Sequence, residues 1–171
     1  MNPLPLRDAN GEFAPERFRI AHDDYHARHV GRTADGRQFF VTTPFVSASS
    51  PGGGAEYAAR YLFDDDGALV ETTIVPVGGR DGDGALPGNV TAFPAQQSAV
   101  DLLLTEVGPV TYGDITIAPF SIVQDGVEFG LVLNGPDDDE DEDEEWYWNV
   151  TIEPGDYMAF SSPWDSGDYD T

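Results

Sequence analysis

Apolar and polar positions alternate along much of this chain, and short glycine-containing corners interrupt the alternation. Three corners organise the reading. Asp35-Gly36 lies between His29 to Ala34 and Arg37 to Thr43, Asp64-Asp65-Asp66-Gly67 separates Tyr57 to Phe63 from Ala68 to Val77, and Asp125-Gly126 separates Ile115 to Val123 from Val127 to Leu133. Each puts glycine where a tight turn needs a positive φ, between residues that suit a half-buried strand. Three hairpins are predicted. Such short connections cannot hold the crossover that a parallel pair requires, so the expected sheet is antiparallel.

The third hairpin carries an irregularity. Ile115 and Ile117 share one face, whereas Phe120 and Ile122 fall on the opposite parity with Pro119 between them, which predicts a bulge near Pro119. Its partner alternates cleanly, with Val127, Phe129, Leu131 and Leu133 on one face, and is predicted to be core. A further strand is expected where Trp146, Trp148, Val150 and Ile152 alternate with Tyr147, Asn149 and Thr151, ended by Pro154-Gly155. One segment has helical spacing: Pro94 suits a first turn, Val100, Leu103, Leu104 and Val107 form one apolar stripe, and Gly108-Pro109 is a stop signal. This order predicts an α+β chain, an antiparallel sheet of hairpins with one main helix packed on a face.

The length of 171 residues supplies one ordinary core, so residues 1–171 are expected to form a single domain. Segments 1–16, 47–55, 78–89 and 134–145 are poor in apolar residues and rich in Gly, Ser or Asp, and are expected to be flexible. No internal repeat is present. The absence of a long apolar run and of a basic-then-apolar start predicts neither membrane insertion nor secretion, and the lack of cysteine fits a reducing compartment. Cytoplasm is the expected location.

Charge changes the picture more than composition does. All eight basic residues are Arg, and Arg80 is the last of them. Residues 1–80 hold 8 Arg and 11 acids, a net charge of −3, whereas residues 81–171 hold 21 acids and no Arg. A field of this sign repels phosphate backbones and anionic lipid, and it attracts basic proteins. The expected partner is therefore a basic protein rather than nucleic acid or a membrane. The plain alternative is a solvated surface that confers solubility.

Two clusters could carry chemistry. His22, His26 and His29 fall within eight residues, and on a helix they would share one face suited to a metal. No helix start precedes them, and in an extended strand His22 and His26 face one side while His29 faces the other. Exposed or hydrogen-bonded side chains are the simpler reading. The second cluster is the nine-residue run Asp137 to Glu145, whose carboxylates repel one another unless a cation or basic partner offsets the repulsion. Asp64 to Gly67 and Asp81 to Gly84 lack the spacing and closing Glu of a calcium loop and read as turns. No hydrolase elbow, phosphate-cradling loop or dinucleotide fingerprint is present, so no catalytic residue, cofactor or metal is assigned. Trp146, Tyr147, Trp148, Trp164 and Tyr169 lie near the run in sequence and are of the types that anchor interfaces, with core packing the simpler role for Trp146 and Trp148. The assigned partner-binding residues are Asp137, Asp138, Asp139, Glu140, Asp141, Glu142, Trp164 and Tyr169.

Four stretches together resemble a bacterial family labelled formate hydrogenlyase regulatory protein. They are Ile20-Ala21-His22 running on to Gly31 through Phe40; Tyr61-Leu62-Phe63-Asp64-Asp65-Asp66-Gly67; Tyr112 through Phe120 with Asp125 through Val132; and Pro163 through Thr171. The resemblance spans most of the chain. It implies a regulator that acts through protein contacts, opposing transcriptional activation of an anaerobic formate-metabolising system, and it carries no catalytic residues across. The acidic run and Pro51 to Gly54 look like insertions relative to that family. The combined expectation is a non-enzymatic, acidic, cytoplasmic binding protein. The alternatives are an immunity-type inhibitor of a basic toxin and a metal-dependent enzyme that uses His22, His26 and His29.

Overall fold

The computed structural model describes residues 6–23, 27–46, 54–79, 92–135, 144–154 and 157–165. In chain order the elements are β1 (Phe18–Ile20), β2 (Val30–Thr33), β3 (Gln38–Thr42), β4 (Phe45–Val46), β5 (Ala55–Phe63), β6 (Leu69–Gly79), α1 (Ala92–Val107), β7 (Val110–Tyr112), β8 (Ile115–Ile117), β9 (Phe120–Gln124), β10 (Val127–Asn134), β11 (Asn149–Glu153) and β12 (Tyr157–Ser161). All of the strand pairings are antiparallel. The antiparallel sheets and the single helix are as expected, but one helix beside twelve strands makes the described chain mainly β, which corrects the α+β class. The expected hairpins are present as β2–β3, β5–β6 and β9–β10. At the last of these, Asp125 and Gly126 have φ of 52° and 79°, the double positive φ that lets a two-residue turn follow the twist of its strands.

The strands form three sheets. The largest has six strands, in which β5 is flanked by β6 on one edge and by β3 and β4 on the other, with β2 and β7 beyond β3. A second sheet has the order β12-β11-β10-β9, and β1 pairs with β8 alone. Alternation along β3 and β5 divides the large sheet between two cores. Phe39, Val41, Ala58 and Leu62 pack with Val100 and Leu103 of α1. Phe40, Ala59, Tyr61 and Phe63 instead join Phe18 and Ile20 of β1, Ile115 and Ile117 of β8, and Phe129, Leu131, Val150, Ile152 and Phe160 of the four-stranded sheet. The large sheet is thus a middle layer buried on both faces, with α1 over one and the other sheets over the second.

The helix runs for 16 residues, holds Pro94 in its first turn and stops at Gly108, whose φ is 82°. Val100 and Leu103 are buried, and Leu104 and Val107 are half-buried on the same core. Two strand expectations need correction. Ile115 to Val123 is not one bulged strand: β8 pairs with β1 and β9 with β10, so the chain changes sheets at Ala118-Pro119. Pro119 has no N–H for a ladder, and the Ala118 N–H goes to the Gly67 carbonyl at 2.9 Å. Trp146 and Trp148 precede β11, because the backbone of this stretch bonds to an N-terminal turn and not to a neighbouring strand. The segments expected to be loops yield their ends to strands at Ala55, Gly78, Gly79 and Asn134.

Buried polar groups fix the layers. The Gln38 amide, 2% exposed, donates to the carbonyls of Asp64 and Thr116 and accepts the Thr116 N–H, joining the first two hairpins to β8. Arg60 lies in the helix-side layer and reaches Glu106 on α1 at 3.0 Å and Glu71 on β6 at 2.8 Å. On the outer edge of the large sheet, β6 has register irregularities at both ends, Pro76 between them, and an Ile74 carbonyl that accepts from the Gln124 side chain. These features obstruct the addition of another strand.

Candidate functional site

β10 and β11 are joined by residues 135–148, the segment that contains the acidic run, and Asn134 and Asn149 pair across its base. Asp137, Asp138, Asp139, Glu140, Asp141 and Glu142 lie outside the described residues, as does Tyr169. The two acids that close the run, Glu144 and Glu145, are exposed. Asn134 donates from its side chain to Asn149 Oδ1 and Thr151 Oγ1, at 3.3 and 2.9 Å, which ties the two strands together at the point where the loop departs.

The described end of this connection, Trp146 to Trp148, packs on a pedestal built from the N-terminal segment. Asp8, 7% exposed, accepts the N–H groups of Asn10 and Glu12 on Oδ1, closing a turn, and the Trp148 N–H on Oδ2 at 3.3 Å. Trp148 Nε1 donates to the Glu12 carbonyl at 3.2 Å, and the Ala9 N–H donates to the Trp146 carbonyl at 2.9 Å. Trp146 and Trp148 meet edge to face with centroids 5.0 Å apart. A Cβ at Gly135 would stand 2.5 Å from the Trp148 ring, so both ends of the connection converge on one indole. Tyr147 projects away from this packing, 45% exposed, and donates its hydroxyl to Glu145 at 3.0 Å. That bond to a carboxylate, and the negative charge it carries, push the phenol up from its ordinary value. The Asp8-Ala9-Asn10-Gly11 turn signature was present in the sequence, but its partners lie some 140 residues away along the chain. Trp164 is half-buried, packs against the larger core and accepts the Arg19 N–H on its carbonyl at 2.8 Å.

Charge is distributed unevenly over this framework. Arg19 pairs with Asp114, Arg32 with Asp65, Arg37 with Asp35 and Glu71, and Arg60 with Glu71 and Glu106. These pairs gather on β1, on the large sheet and on the elements that border it. The strands β9 to β12 contain no basic residue. The triple-Asp corner uses its carboxylate on backbone: Asp64 Oδ1 accepts from Asp66 and Ala68 at 3.0 and 2.9 Å, as a turn requires. Asp81 to Gly84 lie outside the described residues.

The histidines divide differently from the strand expectation. His26 lies outside the described residues; His22 and His29 are not on opposite sides of a strand but both approach Tyr112. The reason is that β1 ends at Ile20 and a loop intervenes before Val30, so strand parity does not apply between them. The His22 backbone N–H donates to Asp114 at 2.9 Å and its Nε2 donates to the Arg28 carbonyl at 3.1 Å. Among the described residues no group of three or more His, Asp or Glu side chains is placed to hold a metal ion, and no helix is long and apolar enough to cross a membrane. No family model matches the chain, and no curated protein or solved structure matches it either.

Proposed function

We propose that this chain is a non-enzymatic acidic binding protein of the cytoplasm that docks a basic protein partner through the connection between β10 and β11. The observation that carries the reading is the placement of the run. Nine successive carboxylates are inserted between residues paired across a sheet, and in sequence they run directly into the Trp146–Trp148 segment that is bonded to the N-terminal turn, in the half of the chain that has no arginine. A flexible charged tail would give steering alone, whereas a loop with both ends fixed also restricts the direction of approach. Tyr147 supplies an exposed aromatic face next to Glu145, the combination that receives an arginine by stacking and ion pairing. Regulation through protein contacts, which the family resemblance implies, is a use of the same surface.

A photo-crosslinking residue at Glu140 in the full chain, expressed in its own cells, tests this. The expected result is a discrete adduct with a basic protein that disappears when the acids flanking the crosslinker, Asp137 to Asp139 and Asp141 to Asp143, are changed to Asn and Gln. An identical adduct pattern from the neutralised variant, or no adduct beyond that from a crosslinker at Val70 on β6, overturns it.

A further inference from the structure

His29 ends the loop between β1 and β2, and its backbone is fixed: its carbonyl accepts the Val41 N–H at 2.9 Å, prolonging the β2–β3 ladder. Its half-buried ring leans on Tyr112 of β7, centroids 6.4 Å apart, while Tyr112 stacks with His22 at 5.6 Å and meets Phe39 edge-on at 6.0 Å. Phe39 is wholly buried in the core beneath α1, so Tyr112 links the edge of that core to the His29 ring. The Nδ1 atom of His29 is buried and has no hydrogen-bond partner among the described residues. A neutral imidazole protonated on Nε2 leaves only an acceptor lone pair at Nδ1; a second proton would put an N–H donor there with no acceptor among the described residues.

We propose that His29 is a proton-operated latch, in which uptake of a second proton expels the ring from its place against Tyr112 and loosens β7 over the helix-side core. The groups around the ring bear unequally on that proton. Arg28 beside it in the chain and His22 from the same loop oppose it, Asp101 on α1 favours it, and the ring it rests on is that of Tyr112 on β7. Burial comes first and Arg28 second, so the ring is held below its ordinary value of 6.5. The sign follows: an open form, titrating normally, binds the proton at higher pH than the closed form. The closed form is therefore fully favoured above the ordinary value and is lost as pH falls through the lowered one. Within that window the closed-to-open ratio changes by up to about tenfold per pH unit.

NMR of the full chain tests the latch. The Nδ1 and Nε2 shifts of His29 are followed from about pH 8 to about pH 5, with amide-exchange protection of Val41, which bonds the His29 carbonyl, and of Gly113, which bonds the Val30 carbonyl. The expected result is an Nε2-protonated tautomer at neutral pH and a loss of protection that tracks the His29 titration and not that of His22. In H29Q, which cannot take up the proton, protection at both amides is flat over the same range. Titration of His29 at or above 6.5, an Nδ1-protonated tautomer, or an equal acid loss in H29Q overturns the proposal. Should H29Q fail to fold, the wild-type comparison of the two histidine titrations against protection decides it alone.

Discussion

The six-stranded and four-stranded sheets obey the same pairing rules yet spend their faces differently. The large sheet is apolar on both sides, and it also carries Arg60, whose side chain is 7% exposed and is met by two carboxylates from neighbouring elements. The small sheet buries Phe129, Leu131, Val150 and Ile152 on one side and leaves Ser121, Val123 and Glu128 on the other in solvent. The middle of the large sheet is enclosed on both faces, whereas one face of the small sheet meets solvent. The acidic connection springs from the sheet that has an open face.

The sharpest way to break the contrast is to detach the layers. Phe129, 1% exposed and edge-on to Tyr57 at 5.0 Å, is the side chain by which β10 grips the large sheet. Phe129→Ala is expected to cost about 3 to 5 kcal/mol in urea unfolding, and loss of below about 1 kcal/mol would mean that the sheets do not share a core. Next comes Arg60. Arg60→Ala is expected to cost about 2 kcal/mol, less than a fully enclosed ion pair because both glutamates can rehydrate, while Arg60→Met, which keeps the packing, recovers most of it. Equal losses in the two variants would place the whole effect in charge. The acidic loop should behave oppositely: neutralising Asp137 to Glu142 is expected to raise stability in low salt by about 1 kcal/mol and to flatten the stabilisation that the wild type gains from added salt. A salt response identical in both would locate the repulsion elsewhere. The smallest effect is spectroscopic. Tyr147 should ionise above its ordinary value in an absorbance titration, and Glu145→Gln should bring it back down.

Local signals were enough for the hairpins and the helix. Asp35-Gly36 and Asp125-Gly126 announce their turns whatever surrounds them, and the stripe of Val100, Leu103, Leu104 and Val107 identifies its own buried face. Periodicity names a face but not the sheet that covers it. Hence the sheet change at Pro119 looked like a bulge, and β1, only three residues long and paired with β8 far along the chain, left no local trace. Buried polar groups were equally silent, because Gln38 and Arg60 acquire their meaning from Thr116 and Glu106, which fold against them from distant positions. At the candidate site the charge was plain in the sequence and the pedestal was not. Asp8 and Trp148 stand at opposite ends of the chain, and only folding makes one the acceptor for the other.

The Asn134–Asn149 pair has a consequence for engineering and for divergence alike. Closing a loop costs free energy that grows only with the logarithm of its length, roughly 0.6 kcal/mol per doubling. A segment spliced inside this pair, between Gly135 and Trp146, can therefore lengthen, shorten or exchange its residues while the β-framework and the tryptophan packing register little. The interval between Gly135 and Trp146 is a natural graft site, where a foreign epitope or a different charge pattern can be installed and its recognition studied without rebuilding the scaffold beneath.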